Sequence, residues 1–105
     1  MKKDSQNLKE IFDLAKKLNE LYEISYKQLL PDVKYIIEKN VKNTRFIECT
    51  LDNLLNIPTD KSYELFVLLC NYYESINADA AKFYLDSWNE IYGNENNKVK
   101  KKDHK

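Results

Sequence analysis

A chain of 105 residues has room for one small domain. Apolar residues make up 43% of it and aromatics 12%, enough for a core, whereas one glycine and two prolines argue against a turn-rich all-β fold and against a glycine-rich phosphate loop. The formal charge is zero, but its signs are segregated along the chain.

Ser5 is a cap candidate for a first helix running to about Leu30. Leu8, Ile11, Ala15, Leu18, Tyr22, Ser25 and Leu29 step by three and four, and Leu14 and Leu21 widen the stripe. Lys9, Glu10, Asp13, Lys16, Lys17, Glu20 and Glu23 fall on the opposite side. With Ala15 and Ser25 in the seam, this pattern predicts one wall of an intramolecular bundle in preference to a dimeric coiled coil. Pro31 either opens a short second helix, "PDVKYIIEKN", or kinks one longer helix. "NVKN" reads as a connection, and Asn43 or Thr44 caps the next helix, which stops before Pro58.

"PTDKSYE" starts another helix, capped by Thr59 or Asp60 and running from about Lys61 to Ser75. It is apolar around most of its circumference, which predicts a central position. The last helix is capped by Asn77, with Asp79 at its positive end, and Gly93 is expected to supply a left-handed stop. Its expected inward set is Ala80, Phe83, Tyr84, Ser87, Trp88, Ile91 and Tyr92. "NENNKVKKKDHK" has almost no apolar content and is expected to be a mobile basic tail. The predicted fold class is therefore all-α: a small antiparallel helical bundle of four to five helices over residues 1–93, with a long N-terminal helix, followed by a disordered basic tail over residues 94–105.

Several chemistries find no support. His104 is the sole histidine and falls in the tail, so no His-dependent triad can be assembled in the folded part. Cys49 and Cys70 have no further soft ligands at metal-binding spacing, and no metal or cofactor is expected. Both sit in helical patterns, which predicts two buried thiols in a reducing, cytoplasmic setting. No apolar run approaches the roughly 18 residues of a membrane span, and the basic start "MKKDSQNLKE" is not followed by an apolar h-region. The pairs Glu48/Asp52 and Asp86/Glu90 place two carboxylates on one helical face; on an outward face such pairs are usually solvated. A non-enzymatic role is expected.

From Met1 to Arg45 ten basic residues stand against seven acidic ones. From Phe46 to Tyr92 eight acidic residues stand against Lys61 and Lys82, and the tail returns to net positive. An acidic body repels phosphate, which disfavours nucleic-acid binding there and suits a basic protein partner. Glu74, Asp79, Tyr84, Asp86, Trp88, Glu90 and Tyr92 are the candidate partner-binding residues, with aromatics as anchors among carboxylates.

"FIECTLDNLL", "ELFVLLCNYY" and "INADAAKFYLDSWNEIY", covering Phe46 to Tyr92, resemble segments of short uncharacterised helical proteins of plasmids, conjugative elements and phages of low-GC Gram-positive bacteria. The shared marks, Leu-Cys-x-Tyr-Tyr and Ile-Asn-x-x-Ala-Ala, are core and capping features and transfer no functional residue. The resemblance implies a mobile-element accessory inhibitor or regulator of a host protein, the anti-CRISPR type included. Two other readings remain open. One is a bacteriocin-immunity-like bundle; the other is a nucleic-acid-binding regulator that uses the N-terminal helix and tail. The chain is expected to be a monomer or a homodimer through that helix.

Overall fold

The computed structural model describes residues 2–93; the tail expected from Asn94 lies outside the described residues. Four helices make up this part: α1 (Lys2–Glu38), α2 (Thr44–Leu55), α3 (Asp60–Glu74) and α4 (Ala78–Tyr92). The all-α expectation holds. α1 is one helix that runs through Pro31, the second of the two alternatives for that proline, and it already begins at Lys2, so Ser5 lies within it rather than capping it. Proline removes the bond to the carbonyl four residues back, that of Lys27. Both Pro31 and Lys27 are exposed, so water can take that carbonyl while Leu29, Val33 and Ile36 are buried on the other side.

The turns follow from capping chemistry. α1 ends with Asn40 in the left-handed region (φ 53°), the Val41 N–H donating to Ile36 O at 2.9 Å and the Asn40 N–H to Ile37 O at 3.3 Å. This paired bonding closes a helix when an asparagine takes the position usually given to glycine. Asn43 Oδ1 accepts from the Phe46 N–H at 3.1 Å, Thr59 Oγ1 from Ser62 at 3.2 Å and Asn77 Oδ1 from Ala80 at 3.0 Å. Each start of α2, α3 and α4 is thus held by a side chain from the expected capping segment. Gly93 departs from expectation: its φ is −106°, not left-handed, and its N–H simply closes the last turn on Asn89 O.

α3 packs against each of the other three helices. Its Leu65, Phe66, Leu69, Cys70 and Tyr73 are buried among Ile47, Leu51 and Leu54 of α2, the Leu29–Val33–Ile36 stripe of α1, and α4. Buried Ser62 donates to Leu54 O at 2.9 Å and so satisfies a carbonyl at the end of α2. The central role expected for this helix follows, although Glu64, Leu68 and Asn71 leave one side open. α1 differs most from expectation. From Tyr22 onward its stripe packs on the core, but every residue from Leu8 to Leu21 is exposed. Only the second half of the helix is a bundle wall.

Candidate interaction surface

The register of α4 decides which residues reach solvent. Ala81, Tyr84 and Trp88 are its buried residues, so the helix is rotated relative to the inward set expected for it. Trp88 packs at 4.9 Å from Phe66, 5.1 Å from Tyr63 and 4.7 Å from Tyr92, and Phe66 meets Tyr84 edge-on at 6.4 Å. Small Ala81 lets α4 approach α3 closely. Tyr84 and Trp88, which the sequence put both in the inward set and among the candidate partner-binding residues, are each only 7% exposed and belong to the core. Phe83 and Ile91, expected inside, point outward instead.

The outermost stripe of α4 is Asp79, Phe83, Asp86 and Glu90, spaced by four, three and four, and all four are exposed. Phe83 is 64% exposed, its ring resting edge-on against Tyr84 at 5.5 Å. Glu74 at the end of α3 joins this face: with Asp79, Lys82, Leu85 and Asp86 it lines a shallow depression of about 350 Å³ whose floor includes Cys70 and Ala81. Five of the seven expected residues therefore remain accessible, but Tyr92 sits at the rim. It is 39% exposed, and its hydroxyl donates to Leu55 O at 2.6 Å. Phe83 is the exposed aromatic of this face that the sequence reading placed inside. Apolar residues surround too much of α4 for periodicity alone to choose the inward face.

One carboxylate of this surface has a lysine partner on its own helix. Asp86 accepts from Lys82 Nζ at 2.9 Å, an exposed i,i+4 pair that holds the Lys82 pKa above its usual value through that hydrogen bond and the nearby negative charge. The other ion pair among the described residues joins Lys61 to Glu23 at 3.5 Å, linking a lysine of the acidic half to a carboxylate of the basic half. Among the described residues no lysine from α1 neutralises an α3 or α4 carboxylate. Among the described residues, Lys82 is the one basic side chain paired with a carboxylate of this face.

The Glu48/Asp52 pair has a different role. Tyr73, fully buried, donates to Glu48 Oε2 at 2.6 Å, and Tyr84 donates to Asp52 Oδ1 at 2.9 Å. One face of α2 is thereby tied to α3 and α4 by charge-assisted hydrogen bonds. Burial, then the hydrogen bond and charge of Glu48, push the Tyr73 phenol up to about 12, and burial with the Asp52 hydrogen bond raises Tyr84 as well. Both phenols are therefore firm donors at neutral pH. Tyr72 adds a third tie, from its hydroxyl to Val41 O in the connection before α2 at 2.6 Å.

Burial likewise pushes the Cys70 thiol up to about 12, so that sulfur is unreactive. Cys49 is exposed, contrary to the expectation of two buried thiols: it lies on α2 beside the core-facing residues Ile47, Thr50 and Leu51. Among the described residues no three His, Cys, Asp or Glu side chains come together as a metal site. None of the described helices is long and apolar enough to cross a membrane. Comparison with protein-family models, curated proteins and solved structures gives no match for this chain.

Proposed function

We propose that this protein is a non-enzymatic binding module that docks the outer face of α4 on a basic protein surface. The observation that carries the reading is the stripe Asp79–Phe83–Asp86–Glu90, in which a largely exposed phenylalanine stands among carboxylates. An aromatic ring held by its helix loses little conformational freedom on binding and buries a large area, while flanking charges steer encounter and reject acidic surfaces. Arginine suits the other side of such a contact, since its guanidinium pairs with carboxylates and stacks on aromatic rings. Surfaces built to hold nucleic-acid phosphates are rich in that residue. Occupying such a groove would make the protein an inhibitor or regulator of a host nucleic-acid enzyme, the anti-defence setting that the sequence resemblance implies.

The test begins with proteins retained from host lysate on the immobilised chain, each then purified and titrated at low and high salt. Combined reversal of Asp79, Asp86 and Glu90 to Lys is expected to weaken a true partner at least about tenfold at low salt and to flatten the salt dependence. Phe83→Ala is expected to weaken binding at both salt concentrations. A partner indifferent to both variants would remove this face from the function.

A further inference from the structure

We propose that the bare half of α1 pairs with the same segment of a second copy, forming an antiparallel two-helix seam that makes the protein a closed dimer. Leu8, Ile11, Phe12, Leu14, Leu18 and Leu21 are all exposed, and together they cover about half of the helix circumference. At roughly 100 Å² of apolar area each, they offer on the order of 600 Å² per chain, close to what one partner contributes to a stable interface.

The occupant follows from three observations. First, the flanking segments are poor in apolar groups that could cover this face: residues 94–105 contain a single apolar side chain, Val99, and residues 1–7 contain only Met1. Second, the stripe continues an existing interface. The face that is bare from Leu8 to Leu21 is the one on which Tyr22, Leu29, Val33 and Ile36 meet the bundle. A parallel partner would bring its own bundle onto ground already filled; an antiparallel partner places the two bundles at opposite ends. Where bare and covered parts meet, Leu18, Leu21, Tyr22 and Leu29 border a groove of about 480 Å³ closed on its far side by Asn53, Asn56 and Ile57. The incoming N-terminal end of a second α1 arrives there.

Third, size and charge match in this orientation. With the two helices crossing between Lys16 and Lys17, Leu8 faces Ser25, Ile11 faces Tyr22 and Ala15 faces Leu18. The small seam residues that would leave gaps opposite themselves in a parallel pair are each opposed by a large one. The flanking positions are Phe12, Leu14, Asn19 and Leu21, so no like charges confront each other beside the seam. The charges of the segment, Lys9, Lys16 and Lys17 against Glu10, Asp13, Glu20 and Glu23, lie on the far side and nearly balance. That balance also gives the face no electrostatic attraction to anionic lipid.

Sedimentation equilibrium of the full chain over a concentration series tests the proposal. The expected species has twice the 12.5 kDa chain mass. Ile11→Glu with Leu18→Glu is expected to weaken association at least about 100-fold, with an unchanged bundle by far-UV circular dichroism and thermal melting, since both residues are exposed. Spin labels at Lys9→Cys in a Cys49→Ser background are expected to lie farther apart in the antiparallel dimer, where the two sites are offset by about 22 Å along the helices, than in a parallel one, where they share a level and the spacing is shorter. A monomer at every concentration, a larger assembly or the shorter spacing would each overturn the proposal. So would a monomer that cosediments with vesicles, which would assign the face to lipid. The α4 variants leave this seam untouched and should keep the dimer mass, so loss of partner binding and loss of self-association are separable.

Discussion

The two halves of α1 carry the same pattern and meet different fates. Leu8 to Leu21 and Tyr22 to Ile37 continue one apolar stripe along one helix, yet the second half is built into the bundle and every residue of the first is exposed. Periodicity states that a face is suited to burial; it does not state what covers it. The reach of the bundle decides that. α2, α3 and α4 span 12, 15 and 15 residues, so none can run beside all 37 residues of α1. A helix rises about 1.5 Å per residue, which leaves an overhang on the order of 30 Å.

The largest expected effect sharpens this contrast from the buried side. Phe66 is fully buried against Tyr84 and Trp88. Phe66→Ala removes a ring from the point where α2, α3 and α4 meet, and is expected to cost about 3–5 kcal/mol in chemical denaturation. A loss below about 1 kcal/mol would mean that the bundle is looser than its packing indicates.

The bundle's existence and the starts of α2, α3 and α4 were legible in the sequence because capping is local; the start of α1, expected at Ser5, was not. Asn43, Thr59 and Asn77 each act on an N–H three residues away, so the signal and its target lie within one short stretch. The faces were harder to read. The rotation of α4 depends on Tyr84 reaching Asp52 and Trp88 lodging against Phe66, contacts 32 and 22 residues apart. In a helix where Ala80, Ala81, Phe83, Tyr84, Leu85, Trp88, Ile91 and Tyr92 are all apolar or aromatic, the pattern fits more than one orientation. That ambiguity left Tyr84 and Trp88 both in the inward set and on the candidate surface, and it put Phe83 inside. The carboxylates Asp79, Asp86 and Glu90 were easier, since none has a neighbour that could carry it inward. Cys49 was misjudged for the same reason as Phe83: on α2 it lies next to the buried face without belonging to it.

An intermediate effect is expected where α2 is tied down by phenols. Tyr73→Phe removes the 2.6 Å bond to Glu48 and is expected to cost about 1.5–3 kcal/mol, the range for a hydrogen bond to a charged partner. The same group gives the protein an alkaline limit. Its pKa stands at about 12 in the fold against 10.0 for a free phenol. Below pH 10 both states hold the proton, and the contribution to stability is complete. Between 10 and about 12 the unfolded chain loses the proton while the native one keeps it, so stability falls as pH rises through this window. Tyr73→Phe should flatten part of that decline in melts followed from pH 9 to 12, and the raised Tyr84 should leave a remainder. An unchanged alkaline profile would show that the Tyr73 proton is not linked to folding.

The smallest expected effect breaks the comparison from the bare side. Leu14 is 68% exposed on α1, with no residue of α2, α3 or α4 over it. In protein dilute enough to be monomeric, Leu14→Ala should shift unfolding by less than about 0.5 kcal/mol, because no burial is lost and alanine favours helix slightly more than leucine. Raising the concentration should open a gap between variant and wild type, since folding and association are then linked and only the wild type keeps the full seam. A cost of about 2 kcal/mol that persists on dilution would mean that Leu14 is covered within its own chain. The two halves of α1 would then differ in little but position, and a second copy would no longer be needed to account for the first.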